Sequence, residues 1–473
     1  MSYDIRQMIQ VLTIGLFCIA CVFALSSSNW ALALAVTMFT FEQALQAASP
    51  IFIERSTLCN LIVATVIGLS IVREMFSNKT IFLGFIDPSI VCTFIIYFWS
   101  ALTLSWTPAN AAFEIVVWGI PYFLLFLCAA PFLLIDIESA GSFTRSILYL
   151  GILVLVVLII NPEFTFMSGR LGIQLSGVSR SNPLAIGELG GTLIIVASLL
   201  RIGPTQWLLN LARLVAFGLG ALISLQSGSR GQLAFAVILA VLFFPVSNQI
   251  KSFKNFIGTI VGAGVIFPAI YFFATNFMYT DILKRWDAED LAGGTGVRIL
   301  NIIDLLLAWV RSPFAWVVGL GFNAFSAVTS AGSREGYSHN MSIDILTELG
   351  IPMFVLYLVI IYISIRHSLW LFQRFKEQPL ERASISVLIA LFVYQLLLAN
   401  KQSNLWGNQM FFFYVILLAR LHKRTVVSDE IENANVASNL NSQIHSQEPD
   451  GNTYPDTEQS RRNNLPTGTS SAV

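Results

Sequence analysis

The sequence predicts an all-α polytopic membrane protein with about 12 or 13 transmembrane helices and a long extracytoplasmic loop that contains short helices. Of the 473 residues, 55% are hydrophobic and only 11% are charged, and the mean hydropathy is +0.72. Apolar runs close to the ~20 residues that cross a bilayer as a helix recur along nearly the whole chain. A long polar interruption then separates the last apolar runs from the earlier ones.

The apolar runs divide the chain into four regions. We expect N-terminal transmembrane helices over 1–275, a long periplasmic loop over 276–349, C-terminal transmembrane helices over 350–421, and a tail over 422–473. The candidate spans fall at about 8–25, 30–48, 57–74, 88–106, 111–134, 144–161, 184–200, 208–226, 231–245, 255–275, 350–371, 383–400 and 405–421. The tail is rich in small polar residues and cannot bury a core, so we expect it to be disordered and cytoplasmic.

Orientation follows from the lysines and arginines of short loops, which collect in the cytoplasm. The basic residues that set it are Lys251, Lys254, Arg366, Arg374, Lys376, Arg382, Lys423 and Arg424. If these lie in the cytoplasm, the segments 162–183, 227–230 and 276–349 lie on the outer side. Thirteen spans place the N-terminus outside and twelve place it inside; the sequence leaves both open.

Composition also limits the classes of function. The net charge is zero, so nothing indicates nucleic-acid binding. The five cysteines lie in apolar runs, which is typical of small core residues rather than of a disulfide framework. Cys18 and Cys21 have C-x-x-C spacing, which is a weak metal signal and more often marks small residues inside a membrane helix. His339 is a single outer histidine without a Cys/His/Asp cluster, so we expect neither a metal nor another cofactor.

His339 is the candidate general base. It lies at or just before the start of a short helix that Ser338 or Asn340 can cap and that Gly350 can end. The positive end of the helix dipole favours neutral imidazole, which is the form that accepts a proton. The alternative is that His339 only caps or packs at this helix start.

Arg298 is a candidate anion ligand. The spacing predicts a helix from Val297 to about Val310, capped by Thr295 after a glycine-rich turn and stopped by Pro313. Arg298, Asn301 and Asp304 follow one another at i+3 steps, so such a helix can lie on the membrane with its polar stripe towards a site. In the first helical turn Arg298 opposes the dipole, which suggests a compensating partner, either Asp304 or a bound anion.

Arg230 is the second candidate anion ligand. It lies in a tight serine- and glycine-containing turn, residues 227–231, between two candidate spans. Glycines in such a turn let backbone N–H groups approach an anion. The alternative is an interfacial anchor whose head group reaches the water.

The remaining polar candidates carry weaker signals. Glu188 falls near the outer end of a span, where a carboxylate must be wetted or paired. Asp344 can orient His339, although its place near a helix start explains it equally well. Arg170 and Arg180 lie in an outer segment where solvated positions are the default.

Taken together, these stretches resemble the bacterial O-antigen ligase and polysaccharide polymerase superfamily of membrane glycosyltransferases. The resemblance covers roughly residues 100–400. It is carried by 102–108, 177–185, 227–231, Arg298 ahead of Pro313 and Gly319-Leu320-Gly321, and His339-Asn340 leading to Glu348-Leu349-Gly350. Each motif is loose alone, but their order and sidedness make the combination fairly specific.

The resemblance implies a metal-independent, inverting glycosyltransferase of the bacterial inner membrane. Its donor is an undecaprenyl-diphosphate-linked oligosaccharide, and its acceptor is a sugar hydroxyl of another glycan or of lipid A core. It assigns Arg230 and Arg298 to the leaving diphosphate and His339 to the base. The residues expected to bind substrate are Arg170, Arg180, Asn340 and Glu188. Membrane lipids surround the protein, and its partners can include other polysaccharide export proteins.

Two further readings of the sequence differ in class. A lipid-linked oligosaccharide flippase or other transporter would concentrate ionisable groups near the bilayer midplane, whereas the best polar groups here are predicted at the outer face. A structural membrane subunit gives no reason for His339 to meet the arginines. Between ligase and polymerase, the short outer loops and polar tail look slightly more like exopolysaccharide polymerases.

Overall fold

The computed structural model describes most of the chain. The described residues are 3–77, 86–161, 163–167, 170–175, 178–180, 183–201, 206–248, 288–329, 336–402 and 404–446, with isolated positions 254, 257, 258, 261, 264 and 272. The predicted span at 255–275 therefore falls almost wholly outside the described residues. The chain divides into two compact units, Met1–Thr425 and Val426–Val473.

The protein is an all-α polytopic membrane protein, as predicted. The first helices are α1 (Tyr3–Ser26), α2 (Ser28–Ala48), α3 (Pro50–Glu54), α4 (Thr57–Ser77), α5 (Pro88–Leu102), α6 (Ala112–Phe123), α7 (Ile137–Ile160), α8 (Pro183–Leu199), α9 (Trp207–Gln226) and α10 (Arg230–Asn248). The later helices are α11 (Ala288–Val310), α12 (Ala315–Val318), α13 (Phe325–Val328), α14 (Met341–Glu348), α15 (Ile351–Arg374), α16 (Pro379–Ala399) and α17 (Gln409–Ser446).

Within the described ranges, ten helical stretches are long and apolar enough to cross a bilayer. They are α1, α2, α4, α5 with the turn that follows it, α6 continued to Leu133, α7, α9, α10, α15 and α16. Helix α8 is equally apolar but has only 17 residues. Each matches a predicted apolar run, and the predicted run 405–421 corresponds to the start of α17.

The helices fall into an inner and an outer set. Helices α2, α7 and α16 are mostly buried in the bundle, whereas α1, α4 and α15 turn most of their surface outwards. Large apolar side chains on the outer set are exposed, among them Leu61 and Leu358. An apolar surface of this extent is unfavourable in water, but in a bilayer it contacts lipid chains.

Helix α6 loses regular geometry in its second half. Pro121 lies inside the helix, and the chain continues as a π-helical stretch, Leu124–Ala129, and a 3-10 turn, Ala130–Leu133. Pro131 lies at the start of the 3-10 turn, and because proline lacks an N–H donor and its ring clashes with the turn before it, the regular α-helical pattern is lost ahead of Pro131. The predicted span 111–134 is thus helical throughout but not one regular α-helix.

The outer segment after α7 contains a small sheet that the sequence reading did not predict. Strands β1 (Phe164–Met167), β2 (Arg170–Leu175) and β3 (Val178–Arg180) pair antiparallel in the order β1-β2-β3. Phe164 is opposite Ile173, which is in turn opposite Arg180. Each pair of strands is separated in sequence by a Ser-Gly dipeptide, a composition that favours tight hairpins.

Helix α17 continues into the tail, for which the sequence predicts disorder. Residues 422–446 belong to α17, and most side chains of the described part beyond 426 are exposed. Extending an existing helix needs no new nucleus, so a polar sequence can continue a helix that a membrane segment has started. Residues 447–473 lie outside the described part of the chain.

One end of the bundle gathers the loops that the sequence places on the outer side. The Thr107 hydroxyl donates to the Phe322 carbonyl at 2.7 Å, and the Phe322 amide donates to the Thr103 hydroxyl at 2.9 Å. These bonds attach the end of α5 to the loop before α13. Helix α15 starts near this end, at Ile351, and finishes at Arg374.

This arrangement predicts which loops share a side of the membrane. In a variant without native cysteines, Asn110→Cys should react with a membrane-impermeant maleimide applied from outside. Glu377→Cys, beyond the far end of α15, should react only after permeabilisation. Both positions are exposed, so access to the reagent depends on sidedness. The reverse labelling pattern would contradict the predicted orientation.

Candidate functional site

The segment 319–322 is held by the backbone at the end of α14. The Leu320 amide donates to the Thr347 carbonyl at 2.9 Å, and the Gly321 amide donates to the Glu348 carbonyl at 3.0 Å. Gly319 and Gly321 have φ of 81° and 99°, a region that favours glycine. A methyl group at Gly319 would overlap the Glu348 carbonyl. The Gly-Leu-Gly motif therefore permits a close backbone contact with α14.

Glu348 fastens the same loop through its side chain. Its carboxylate accepts hydrogen bonds from the Asn323 amide at 2.8 Å and from the Phe325 amide at 3.1 Å. The side chain is buried, and the two donors lie at the start of α13. Because each carboxylate oxygen meets one backbone donor, Glu348 fixes the loop that leads into α13.

Helix α14 positions His339. The Asn340 side chain accepts from the Ile343 amide at 3.1 Å, so Asn340 is the N-cap, one of the two caps that the sequence allowed. His339 lies one residue earlier, with φ of 64°. A non-glycine residue in this left-handed region costs on the order of 1–3 kcal/mol and often marks a functional position. The tight turn before α14 thus fixes where the imidazole lies.

The surroundings of the His339 imidazole favour its neutral form at neutral pH. Its ring meets the Tyr337 ring edge to face, with 4.4 Å between centroids. Burial, followed by the positive charges of Arg298 and Lys401, lowers the pKa of His339 to about 4. The sequence predicted a neutral imidazole from the helix dipole, whereas the structure attributes the low pKa to burial and two cations. The structure therefore brings Arg298 and His339 together.

Helix α11, which carries Arg298, starts earlier than the sequence predicted. It begins at Ala288, so Thr295 lies inside the helix and does not cap it. Arg298 is accordingly in the third turn, and the argument from an opposed dipole no longer applies to it. The sequence places Glu289 and Asp290 in the true first turn, where acidic residues are favoured; the glycines that follow reduce helix stability by about 1 kcal/mol each but do not break the helix.

The polar stripe of α11 faces inward and its apolar stripe faces outward. Asn301 is 3% exposed and Leu305 is fully buried, whereas Leu300 is 62% exposed. The other apolar residues of this face are also exposed: Val297, Ile303, Leu307 and Val310. In water this is the reverse of a normal amphipathic helix, but it suits a helix that lies against lipid with its polar face towards the protein.

Arg230 is the first residue of α10. The turn before it is held by Ser227, whose hydroxyl donates to the Ser224 carbonyl at 2.9 Å. Ser229 fixes the turn to the start of α8, because its hydroxyl donates to the Pro183 carbonyl at 3.3 Å. A cation at a helix N-terminus opposes the dipole, so the argument first made for Arg298 applies to Arg230.

Lys401 is the residue that sequence reasoning missed. It follows α16, and its Cδ, Cε and Nζ atoms occupy the space where a methyl group at Gly231 would lie. Lys401 therefore touches the turn that bears Arg230, and its charge also acts on His339. The available signal was a lone lysine between two predicted spans on the outer side, where lysine is disfavoured.

The residues on either side of Lys401 form hydrogen bonds to three helices. Asn400 accepts from the Ser342 amide of α14 at 3.2 Å. Gln402 accepts from Gln232 of α10 at 3.0 Å and donates to Glu188 of α8 at 3.4 Å. The 400–402 segment therefore connects the helix that follows His339 with the helix that starts at Arg230.

Glu188 and Asn340 are held mainly by protein groups. Glu188 also accepts from the Gln395 side chain at 2.7 Å, and it borders a small cavity beside Thr40. The Asn340 side-chain oxygen is engaged in capping α14. Arg170 and Arg180 lie at the ends of β2 and β3, but their side chains lie outside what the structure describes. Substrate binding by these four residues stays a prediction.

Asp344 is an unusual buried carboxylate. It is 3% exposed, and within the described chain neither carboxylate oxygen has a hydrogen bond of normal geometry. Burial raises the pKa of Asp344 to about 7, and the Ser338 hydroxyl acts in the opposite direction. Burial also raises the pKa of Glu348 well above its usual range, and the charge of Asp344 adds to this effect. The pair therefore favours holding a proton at neutral pH.

A cavity of about 400 Å³ lies between α2, α6 and the start of α17. Its walls include Trp118, Tyr122 and Trp406, together with the polar side chains of Glu114 and Asn404. The Trp406 indole donates to the Ser100 hydroxyl at 3.0 Å, which fixes that ring. The cavity borders the loop that begins with Asn400 and Lys401.

Among the described residues, no three His, Cys, Asp or Glu side chains are arranged as a metal site. A scan against models of known protein families found no family that matches the chain, and a search of curated proteins found no matching relative. What the protein does must therefore be argued from its own residues.

Glu348 should be essential to the stability of this end of the protein. Glu348→Ala would leave two buried backbone donors without an acceptor, each costing about 1–3 kcal/mol. Glu348→Gln keeps one acceptor oxygen and should reduce the melting temperature in detergent by less. Asp344→Asn removes a buried carboxyl without those two bonds and serves as a control with a smaller effect. Equal melting temperatures for the alanine variant and the native protein would contradict this role of Glu348.

Proposed function

We propose that the protein is a membrane glycosyltransferase that moves a glycan from an undecaprenyl-diphosphate carrier to a sugar hydroxyl at the outer face of the bacterial inner membrane. The observation that carries the proposal is a neutral, half-buried imidazole, His339, on which the charges of Arg298 and Lys401 act. A base beside fixed cations suits a reaction that removes a proton from a nucleophile and releases an anionic leaving group.

The arginines would hold the donor diphosphate. Arginine stays charged and binds phosphate oxygens in pairs through its planar guanidinium. Arg298 lies on the inward face of α11, and Arg230 lies at the start of α10 beside Gly231 and Lys401. Both belong to the same end of the bundle, where the loop contacts gather. Positive charge at this end would offset the negative charge that a leaving diphosphate gains.

His339 would accept the proton of the acceptor hydroxyl. As that oxygen forms a bond to the anomeric carbon, the bond from this carbon to the diphosphate oxygen breaks. The electron pair leaves with the diphosphate, and the hydroxyl proton goes to an imidazole nitrogen. Attack opposite the leaving group inverts the anomeric configuration.

The low pKa of His339 has a consequence for the order of events. Burial, together with the charges of Arg298 and Lys401, favours the neutral imidazole but also makes it a weak base. A bound diphosphate would offset the two positive charges, so the pKa of His339 would rise, while the lowering due to burial would remain. Donor binding would thus prepare the base, which favours donor binding before proton transfer.

The aromatic cavity beside the 400–408 loop supports a carbohydrate substrate. Trp118, Tyr122 and Trp406 provide ring faces, and Glu114 and Asn404 provide polar groups. Such a combination of apolar faces and a few placed polar groups suits a ligand that is apolar on its ring faces and polar at its edges. A sugar ring has this character.

The direct test is transfer by the purified protein in lipid vesicles. Vesicles supplied with an undecaprenyl-diphosphate-linked oligosaccharide should form polymer if the acceptor is a second lipid-linked repeat, or modified lipid A core if the acceptor is core. Lack of transfer to either acceptor by folded protein would refute the proposal. Glycan profiles of a deletion strain separate the same alternatives: unpolymerised lipid-linked repeats indicate a polymerase, and unmodified core with intact polymer indicates a ligase.

Replacing His339 should abolish transfer without abolishing donor binding. General-base assistance typically contributes about 10²–10⁴-fold in rate, so single-turnover transfer should fall by that factor in His339→Asn. Asparagine tolerates left-handed backbone, so this variant should keep the turn before α14, whereas His339→Ala also adds backbone strain.

The control for this experiment is binding of undecaprenyl diphosphate, which should remain within a few-fold of the native value in His339→Asn. Transfer by His339→Asn at close to the native rate would leave His339 with only a packing role at the helix start.

The pH below which transfer slows should differ between kcat/KM and kcat. Activity requires neutral imidazole, so the rate should fall as pH drops through the pKa of His339. For kcat/KM, which reports the free enzyme, that limit should lie near the lowered pKa of about 4. For kcat, which reports the donor complex, it should lie at higher pH because the diphosphate offsets the cations. Coincident limits near pH 6.5 in both profiles would contradict this electrostatic arrangement.

A further inference from the structure

Lys401 occupies a position that its neighbours in sequence fix on both sides. Asn400 is bound by the Ser342 amide of α14, and Gln402 is bound by the Gln232 side chain of α10. Helix α14 starts just after the candidate base, His339, and helix α10 starts at Arg230. The backbone at Lys401 is therefore anchored between them, and a flexible side chain is placed on a rigid support.

Gly231 shows where the Lys401 side chain runs. The Cδ, Cε and Nζ atoms all lie within the volume that any side chain at position 231 would need. The ammonium group thus passes directly over the backbone of the Arg230 turn. Lys401 is only partly exposed; its ammonium group lies against Gly231, the residue next to Arg230, and its charge acts on His339.

We propose that Lys401 is the third cation of the donor site and binds the diphosphate together with Arg230 and Arg298. This rests on the proposed function for the identity of the ligand, but the anion site itself is defined by residues of three separate segments. A lysine ammonium is a compact charge with three donors, and it complements arginine, whose planar fork binds oxygens in pairs. A diphosphate offers enough oxygens for all three cations.

The charged groups around His339 allow the proposal to be tested through the pH dependence of transfer. Arg298 comes from α11 and Lys401 from the loop after α16, and both act on the imidazole. Asp304 lies on α11, and the buried Asp344 and Glu348 lie on α14 itself. Without Lys401, Arg298 is the one described cation that still acts on His339, so the pKa of His339 should rise. The fall of kcat/KM on the acid side should then occur at higher pH.

The experiment compares Lys401→Met with Lys401→Arg in the purified full-length protein. The probe is undecaprenyl diphosphate, measured both by direct binding and as a product inhibitor, with inorganic pyrophosphate as a second probe. Loss of one charge-assisted contact should weaken binding of either probe by about 10-fold or more in Lys401→Met. Lys401→Arg keeps the charge and should retain most of the affinity. Lys423→Met, an exposed lysine on α17, is the matched control and should bind normally.

The outcomes separate this proposal from the proposed function. If the native protein transfers glycan but Lys401→Met keeps native affinity and an unshifted acid limit, the role of Lys401 is refuted and the transferase remains. If the native protein binds the diphosphate through Lys401 but transfers nothing, the anion site stands and the transferase is refuted. If the native protein binds neither probe, both are refuted. Should Lys401→Met fail to fold, Lys401→Gln gives the same comparison.

Discussion

The arrangement of this end of the protein depends on the contact between residues 319–325 and the end of α14. Two backbone hydrogen bonds and both oxygens of Glu348 join these segments. Since α14 begins directly after His339, the contact fixes the imidazole relative to the helices behind it. α11 packs against α14 as well, and this brings Arg298 to the same place. This contact, made mostly of backbone groups, therefore positions His339 and Arg298. It tolerates little change in sequence because there is no room for a side chain at Gly319.

Charge at the site is arranged in two opposite groups. Arg298 and Lys401 act on His339 from outside its own helix, while Asp344 and Glu348 are buried within α14. Burial makes both carboxyls hold protons more strongly, so they offset less of the positive charge than two ordinary carboxylates would. The surplus of positive charge favours an anionic ligand. A lone histidine with the same cap but without these neighbours would have no such preference.

Local patterns in the sequence predicted local features well. Apolar runs gave the membrane helices because the bilayer fixes their length and composition. The stop of α11 before Pro313 and the cap at Asn340 also follow from residues close in sequence. The start of α11 was missed because a glycine-rich stretch was taken as a turn, although the acidic residues before it favour a helix start. Lys401 could not be assigned from local pattern, since its contact with Gly231 joins segments far apart in the chain. The small sheet after α7 was missed for a different reason, because its strands have only 3 to 6 residues, too few for an alternating pattern to stand out from a loop.

Helix α11 makes the surrounding bilayer a structural part of the candidate site. In a bilayer, its exposed stripe of Leu300 and other apolar residues contacts acyl chains. The opposite face carries Arg298. Lipid therefore packs against the face of α11 opposite Arg298, where a soluble protein would have a second layer of protein. Thickness and fluidity of the membrane should then influence the geometry of anion binding directly. A detergent that covers the stripe poorly would disturb the candidate site while leaving the rest of the helical bundle intact.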